Sequence, residues 1–205
     1  MKSFFSILLF LVLYSCCREK CIETISFSES ELAVNPYNGN ETITFIDSTG
    51  NTMIFGDGYR RTSQNKISQC DGGCCDYYYL ESPNLTVFTS SFDNSSLQIC
   101  IYRSFNQYTG TRGDAEISIK WINETSHDAS SRFYVLPINT MKSDAISQSF
   151  FYDSLSLLNR TYYNVYALPG NTIDTNSLHG KTLYYTTSEG IVGMKLSNGT
   201  TIRKQ

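Results

Sequence analysis

Apolar and polar positions alternate with a period of two along most of the chain. The cleanest case is 115–121, where Ala115, Ile117, Ile119 and Trp121 share one face and Glu116, Ser118 and Lys120 the other. That alternation predicts an antiparallel strand with one side on a core and the other toward water. Residues 42–47 and 52–55 read as a hairpin around Ser48-Thr49-Gly50-Asn51, with a weak strand before it at 23–27. Strands at 76–80, 85–89 and 97–102 continue the meander. After a polar connection at 123–131 come strands at 133–136, 162–168, 181–186, 191–196 and 200–203. Residues 143–158 fit two patterns: Ile146, Phe150 and Leu155 recur loosely at helical spacing, while 150–152 is strand-like, and strand is the reading adopted. Asn198-Gly199 predicts a tight type I′ turn, because both residues tolerate positive φ.

Composition sharpens the class. Tyr 15 and Phe 12 stand beside one Trp, with abundant Ser and Thr and few helix-forming Ala and Lys. These residues fit a pleated, half-buried surface. The expected fold is all-β, an antiparallel sandwich or partly open barrel, without a fixed repeat. A chain of 205 residues buries roughly 70% of its unfolded surface, enough for a core of its own. Residues 41–205 form the β-rich domain, with 123–131 as the boundary if it has two halves. The net charge of −3 and pI near 5.4 exclude nucleic acid, which needs a basic face, and a polybasic membrane-binding surface.

The N-terminus carries an address. Lys2 precedes an apolar run at 4–13, which spans about 15 Å as helix and so only half of a roughly 30 Å bilayer core. A short charged region followed by a compact apolar one reads as a signal peptide over 1–15. Leu13-Tyr14-Ser15-Cys16 resembles the lipobox of bacterial lipoproteins. The resemblance implies cleavage before Cys16, a diacylglycerol on its thiol and acylation of the new amine. Cys17 in place of aspartate implies an outer-membrane address, facing the periplasm or the cell surface. Residues 16–40 then read as a lipidated tether with an edge strand. Tyr184-Tyr185 followed by Gly190-Ile191-Val192-Gly193-Met194-Lys195 resembles the closing hairpin of uncharacterised Gram-negative exported lipoproteins. Tyr152-Asp153-Ser154-Leu155 and Tyr163-Asn164-Val165-Tyr166 resemble the segment before it. The likeness covers the last third of the chain and implies a fold without an activity.

Seven cysteines in an exported chain imply disulfides. With Cys16 lipidated, Cys17, Cys21, Cys70, Cys74, Cys75 and Cys100 remain, and several pairings stay open. Cys70–Cys74 and Cys75–Cys100 are the preferred guesses, worth about 2–4 kcal/mol each. No C-x-x-C spacing favours zinc or redox chemistry at these cysteines, so no metal or cofactor is expected. His127 and His179 lie in polar stretches, Asp57 and Asp71 beside glycine read as turn residues, and no catalytic motif appears. Arg112-Gly113-Asp114 reads as a turn before the 115–121 strand. Asn40, Asn84 and Asn159 open Asn-x-Ser/Thr triplets that a bacterial lipoprotein need not glycosylate. The tyrosines have a binding flavour, since rings on an outer face can stack on sugars. Tyr77, Tyr79, Tyr163 and Tyr166 are the candidate surface. The expected role is a non-enzymatic binding or structural module of the envelope, held to the membrane by its lipid and meeting a glycan or envelope protein. The alternatives are a periplasm-facing lipid carrier or assembly factor and, less favoured, a hydrolase.

Overall fold

Two sheets take up the alternating segments. The computed structural model describes residues 19–71, 74–81, 83–90, 94–106, 108–123, 130–133, 135–171 and 180–205. The expected signal peptide over 1–15, Cys16, Cys17, His127 and His179 lie outside them. Strands β1 (Cys21–Ile25), β4 (Gln64–Asp71) and β5 (Cys74–Glu81) make a small sheet in the order β1-β5-β4, with β1 parallel to β5. The large sheet contains β2 (Ile43–Asp47), β3 (Thr52–Arg61), β6 (Asn84–Ser90), β7 (Ser95–Asn106), β8 (Thr111–Asn123) and β9 (Ser130–Phe133). It continues with β10 (Leu136–Pro137), β11 (Phe151–Leu157), β12 (Arg160–Asn171), β13 (Gly180–Thr186), β14 (Gly190–Leu196) and β15 (Thr201–Lys204). Two short helices, α1 (Glu29–Leu32) and α2 (Met141–Ser147), complete the described elements.

The fold is all-β. The large sheet runs β10-β8-β7-β6-β3-β2-β15-β14-β13-β12-β11 as an antiparallel half-barrel, and β9 pairs with both β8 and β12, bridging its two flanks. Because the last strand, β15, pairs with β2, the first and last strands of the large sheet in chain order meet in mid-sheet. One core runs through both halves of the sequence. Phe45, Phe55 and Trp121 meet edge to face, 6.0 and 5.8 Å between centroids. Tyr166, Leu183, Tyr185 and Met194 join the same cluster. The face predicted from 115–121 is the buried one, with Ala115, Ile117, Ile119 and Trp121 at most 2% exposed. The tip of the β11–β12 hairpin adds a smaller cluster of Leu157, Tyr162, Val165 and Val192.

Four expectations change. Residues 143–158 are not one strand: α2 places Met141 and Ala145, four apart, in the core, and β11 starts only at Phe151. The polar strand β4 was missed, since its exposed residues 64–66 show no apolar alternation. At Asn198-Gly199 a hairpin forms as expected but not by a type I′ turn. Only Gly199 has positive φ, +88°, and a three-residue loop closes through Gly199 N–H on Leu196 C=O and Leu196 N–H on Thr200 C=O. Such a loop needs αL geometry only at its last residue.

The fourth change concerns the tether. The edge strand is there as β1, but residues 26–40 are integral to the barrel. Ser28 caps α1 in a capping box with Glu31. Asn35 is 2% exposed and donates from Nδ2 to Thr86 Oγ1 on β6. Tyr37, 4% exposed, packs edge-on against Phe88 and accepts a hydrogen bond from Ile191 N–H on β14 at 2.8 Å. Its carbonyl accepts from Arg60 on β3, and Lys204 of β15 lies over its ring. Tyr185 on β13 donates its hydroxyl to the Val34 carbonyl. Burial raises the pKa of both tyrosines, so both hydroxyls keep their protons. The segment thus ties five strands of the half-barrel together. Two glycines make room for it. Gly39 (φ +94°) sits where a Cβ would come within 2.4 Å of the Arg60 nitrogen, and a Cβ on Gly190 (φ +75°) would meet the Tyr37 ring at 2.3 Å.

Tyr37→Phe keeps the ring and strands the buried Ile191 N–H, an expected loss of about 1–3 kcal/mol. Tyr37→Ala adds a cavity and costs about 3–5 kcal/mol. Urea unfolding followed by far-UV circular dichroism separates the two.

Candidate functional site

Two adjoining features gather exposed polar and aromatic side chains: the outer face of the small sheet and a groove on the β7–β8 hairpin. Alternation along β5 divides its three consecutive tyrosines. Tyr78 turns inward and packs on Phe105 of β7 at 4.9 Å between ring centres, and Ile25 of β1 is likewise buried. Tyr77 and Tyr79 turn outward as an edge-to-face pair at 5.4 Å. Lys66, opposite Tyr79 on β4, places its amine 4.2 Å from the Tyr77 ring centre and 2.6 Å from Glu19.

Strands β7 and β8 reach past the Tyr102 and Ala115 limits read from sequence and project as an arm. Their turn closes through Gly110 N–H on the Asn106 carbonyl, while the Asn106 side chain accepts from the Tyr108 and Thr109 N–H groups. An open groove of about 590 Å³ lies on this arm, lined by Phe105, Asn106, Tyr108, Thr111 and Arg112 among others. Tyr108 is 83% exposed. Arg112 reaches Glu23 of β1 at 3.3 Å, an exposed pair worth under about 1 kcal/mol. Arg112, Gly113 and Asp114 lie within strand β8, not in the turn expected of them.

A buried ion pair braces the arm against α1. Arg103 Nη2 lies 2.6 Å from Glu31 Oε1, both side chains nearly buried, and its guanidinium lies over Phe27. Burial alone would raise the Glu31 pKa, but hydrogen bonds from Ser28 and the charge of Arg103 bring it below the usual range.

The other sequence candidates scatter. Tyr163 is 68% exposed on β12, in the other sheet from Tyr77 and Tyr79. Tyr166 is 7% exposed and packs on Phe151 at 5.3 Å. It is a core residue, which removes it from the surface set. Cys100 is a free thiol, so the Cys75–Cys100 bridge is not formed. Cys75 is the second residue of β5 in the small sheet, whereas Cys100 sits on β7 of the large sheet opposite Leu85. The β4–β5 register sets Cys70 across from Cys75, and Asp71 across from Cys74. Cys100 lines a second hollow of about 430 Å³ with Tyr102, Ser118 and Lys120. Burial raises its pKa despite nearby Lys120, which keeps the sulfur a thiol and a weak nucleophile. Asn84 is 3% exposed and accepts from Arg60 Nε, so its triplet is inaccessible. Among the described residues no three His, Cys, Asp or Glu side chains are grouped to hold a metal ion. Compared with protein-family models, curated proteins and solved structures, the chain matches none.

The groove residues Tyr108 and Arg112 were missed as a site. Asn106 to Gly110 carries turn chemistry, a readable signal for a hairpin tip, but the polar flanks hid how far the strands extend.

The Glu31–Arg103 link has a defined pH signature. Its carboxyl is held low in the folded state, so its stabilisation is complete above the unfolded value of about 4.3. It is lost as pH falls through the lower folded value. Glu31→Gln is expected to cost about 3 kcal/mol at neutral pH by leaving Arg103 unpaired. It also flattens the acid limb of a stability-versus-pH curve, read by thermal unfolding between pH 6 and 3.

Proposed function

We propose that this chain is a lipid-anchored, non-enzymatic module of the bacterial envelope that binds a saccharide in the β7–β8 groove. The carrying observation is the groove itself: the exposed Tyr108 ring beside the Arg112 guanidinium and the Asn106 and Thr111 side chains. An aromatic face stacks on the apolar side of a sugar, while a guanidinium and short polar groups bond its hydroxyls. The arm is held by Phe105 on Tyr78, Glu23 on Arg112 and Glu31 on Arg103, which favours a preformed site over one ordered on binding. The anchor at Cys16 and an outer-membrane address rest on the lipobox resemblance, with the bound partner a glycan of the envelope. The lipid-carrier alternative needs an internal chamber, and Phe45, Phe55, Phe88, Leu97 and Trp121 are fully buried in the interior.

The test is calorimetric titration of the purified lipidated protein with a panel of envelope oligosaccharides. One member of the panel is expected to bind. Tyr108→Ala is expected to weaken it roughly tenfold, about 1.4 kcal/mol, with an unchanged thermal midpoint. Binding by no member, or unchanged affinity in both Tyr108→Ala and Arg112→Ala, contradicts the reading.

A further inference from the structure

We infer that the outer face of the small sheet, with Lys66, Tyr77 and Tyr79, lies against the headgroup layer of the membrane that holds the anchor. The inference rests on the lipidation of Cys16 proposed above and adds an orientation to it. Its first support is the length of the leash. Five residue steps separate Cys16 from Cys21, where β1 begins, and a fully extended chain covers at most about 3.6 Å per step, roughly 18 Å in all. The Lys20 carbonyl already accepts the Tyr77 N–H, and Cys21 lies in register with Tyr77. The Tyr77 end of the sheet is therefore the part of the described domain that the lipid holds closest.

The second support is which face remains free. Ile25 and Tyr78 are buried on the side toward the barrel arm, so a bilayer can meet this sheet broadly only on the face bearing Tyr77 and Tyr79. The third is chemistry. Part-exposed phenol rings, and a lysine whose amine lies over the Tyr77 ring, suit the boundary between acyl chains and water. Ile22, next to the leash, is 48% exposed and adds apolar surface at the same end. The charges close to this face, Glu19, Lys20 and Lys66, include a carboxylate paired with an amine. That mixture matches a zwitterionic headgroup layer better than an anionic one. The contact need not be strong, because a tether this short turns it into an intramolecular event at high effective concentration. It fixes how the barrel stands on the membrane and on which side the β7–β8 groove opens.

The experiment uses the full lipidated chain in phosphatidylethanolamine–phosphatidylcholine vesicles doped with a lipid bearing a nitroxide on its headgroup. Flotation with the vesicles comes first. A chain that does not float overturns the anchor, and the orientation with it. For a floating chain, Tyr79→Trp and, separately, Tyr77→Trp report the face by fluorescence quenching. The parent protein, whose single Trp121 is buried in the barrel, sets the baseline. Quenching at least twofold above that baseline in either variant is the expected result. Flotation with quenching no greater than the parent in both leaves the anchor standing and overturns the membrane-facing sheet.

Discussion

One hydroxyl–amide contact organises the N-terminal third of this domain. Tyr37 accepts the Ile191 N–H and carries Lys204 over its ring, and its own carbonyl holds Arg60. A strand N–H turned away from its ladder and buried costs free energy unless something accepts it, and here the acceptor comes from a segment about 150 residues earlier in sequence. The interaction demands space, which explains a glycine at positive φ at position 190 and another at 39. It also fixes where everything before it goes, because the chain between Ser28 and Glu41 then crosses from β7 to β14 along the barrel.

From that fixed point the candidate surfaces follow. With the N-terminal segment seated, α1 presents Glu31 to Arg103, and Phe27 joins Ile101 and Ala115 in a small cluster under the β7–β8 arm. The Phe27 N–H bonds the Glu81 carboxylate at 2.7 Å, pinning the last residue of β5 beside the barrel. The small sheet is thereby held from both sides of its chain connections. Its inward tyrosine packs on the arm, and its outward pair stays on the surface. A groove at one side of the arm and an outward aromatic pair on the small sheet are thus consequences of one docking event.

Sequence made the large sheet legible wherever one face was wholly buried. The core face of the 115–121 strand was read correctly because Ala115, Ile117, Ile119 and Trp121 have nowhere to go but the core, whereas Ser118 on the face expected to meet water is itself buried. It failed where burial came from tertiary contact without periodicity. Asn35 and Tyr37 sit in a polar stretch that carries no strand or helix pattern, so their burial was invisible. Helix α2 offers one turn of apolar spacing, too little to outweigh the strand-like 150–152 that follows. Tyr166 was grouped with the outward tyrosines because it belongs to the tyrosine-rich run 162–166, yet it packs on Phe151 across the hairpin and is buried. The groove was hidden for a related reason: its residues belong to solvated strand ends, where alternation fades. The cysteine pairing could not be read at all, since spacing along the chain does not reveal which strands become neighbours.

The most direct test of the Tyr37 lock is native-state hydrogen exchange at the Ile191 amide. If the N-terminal segment is an integral part of the barrel, this N–H exchanges only by global unfolding, with the same protection free energy as the core amides of Ile99 and Ile119. Exchange orders of magnitude faster than those core amides, by local opening, would show that the segment lifts away while the barrel stays folded, and would contradict the account.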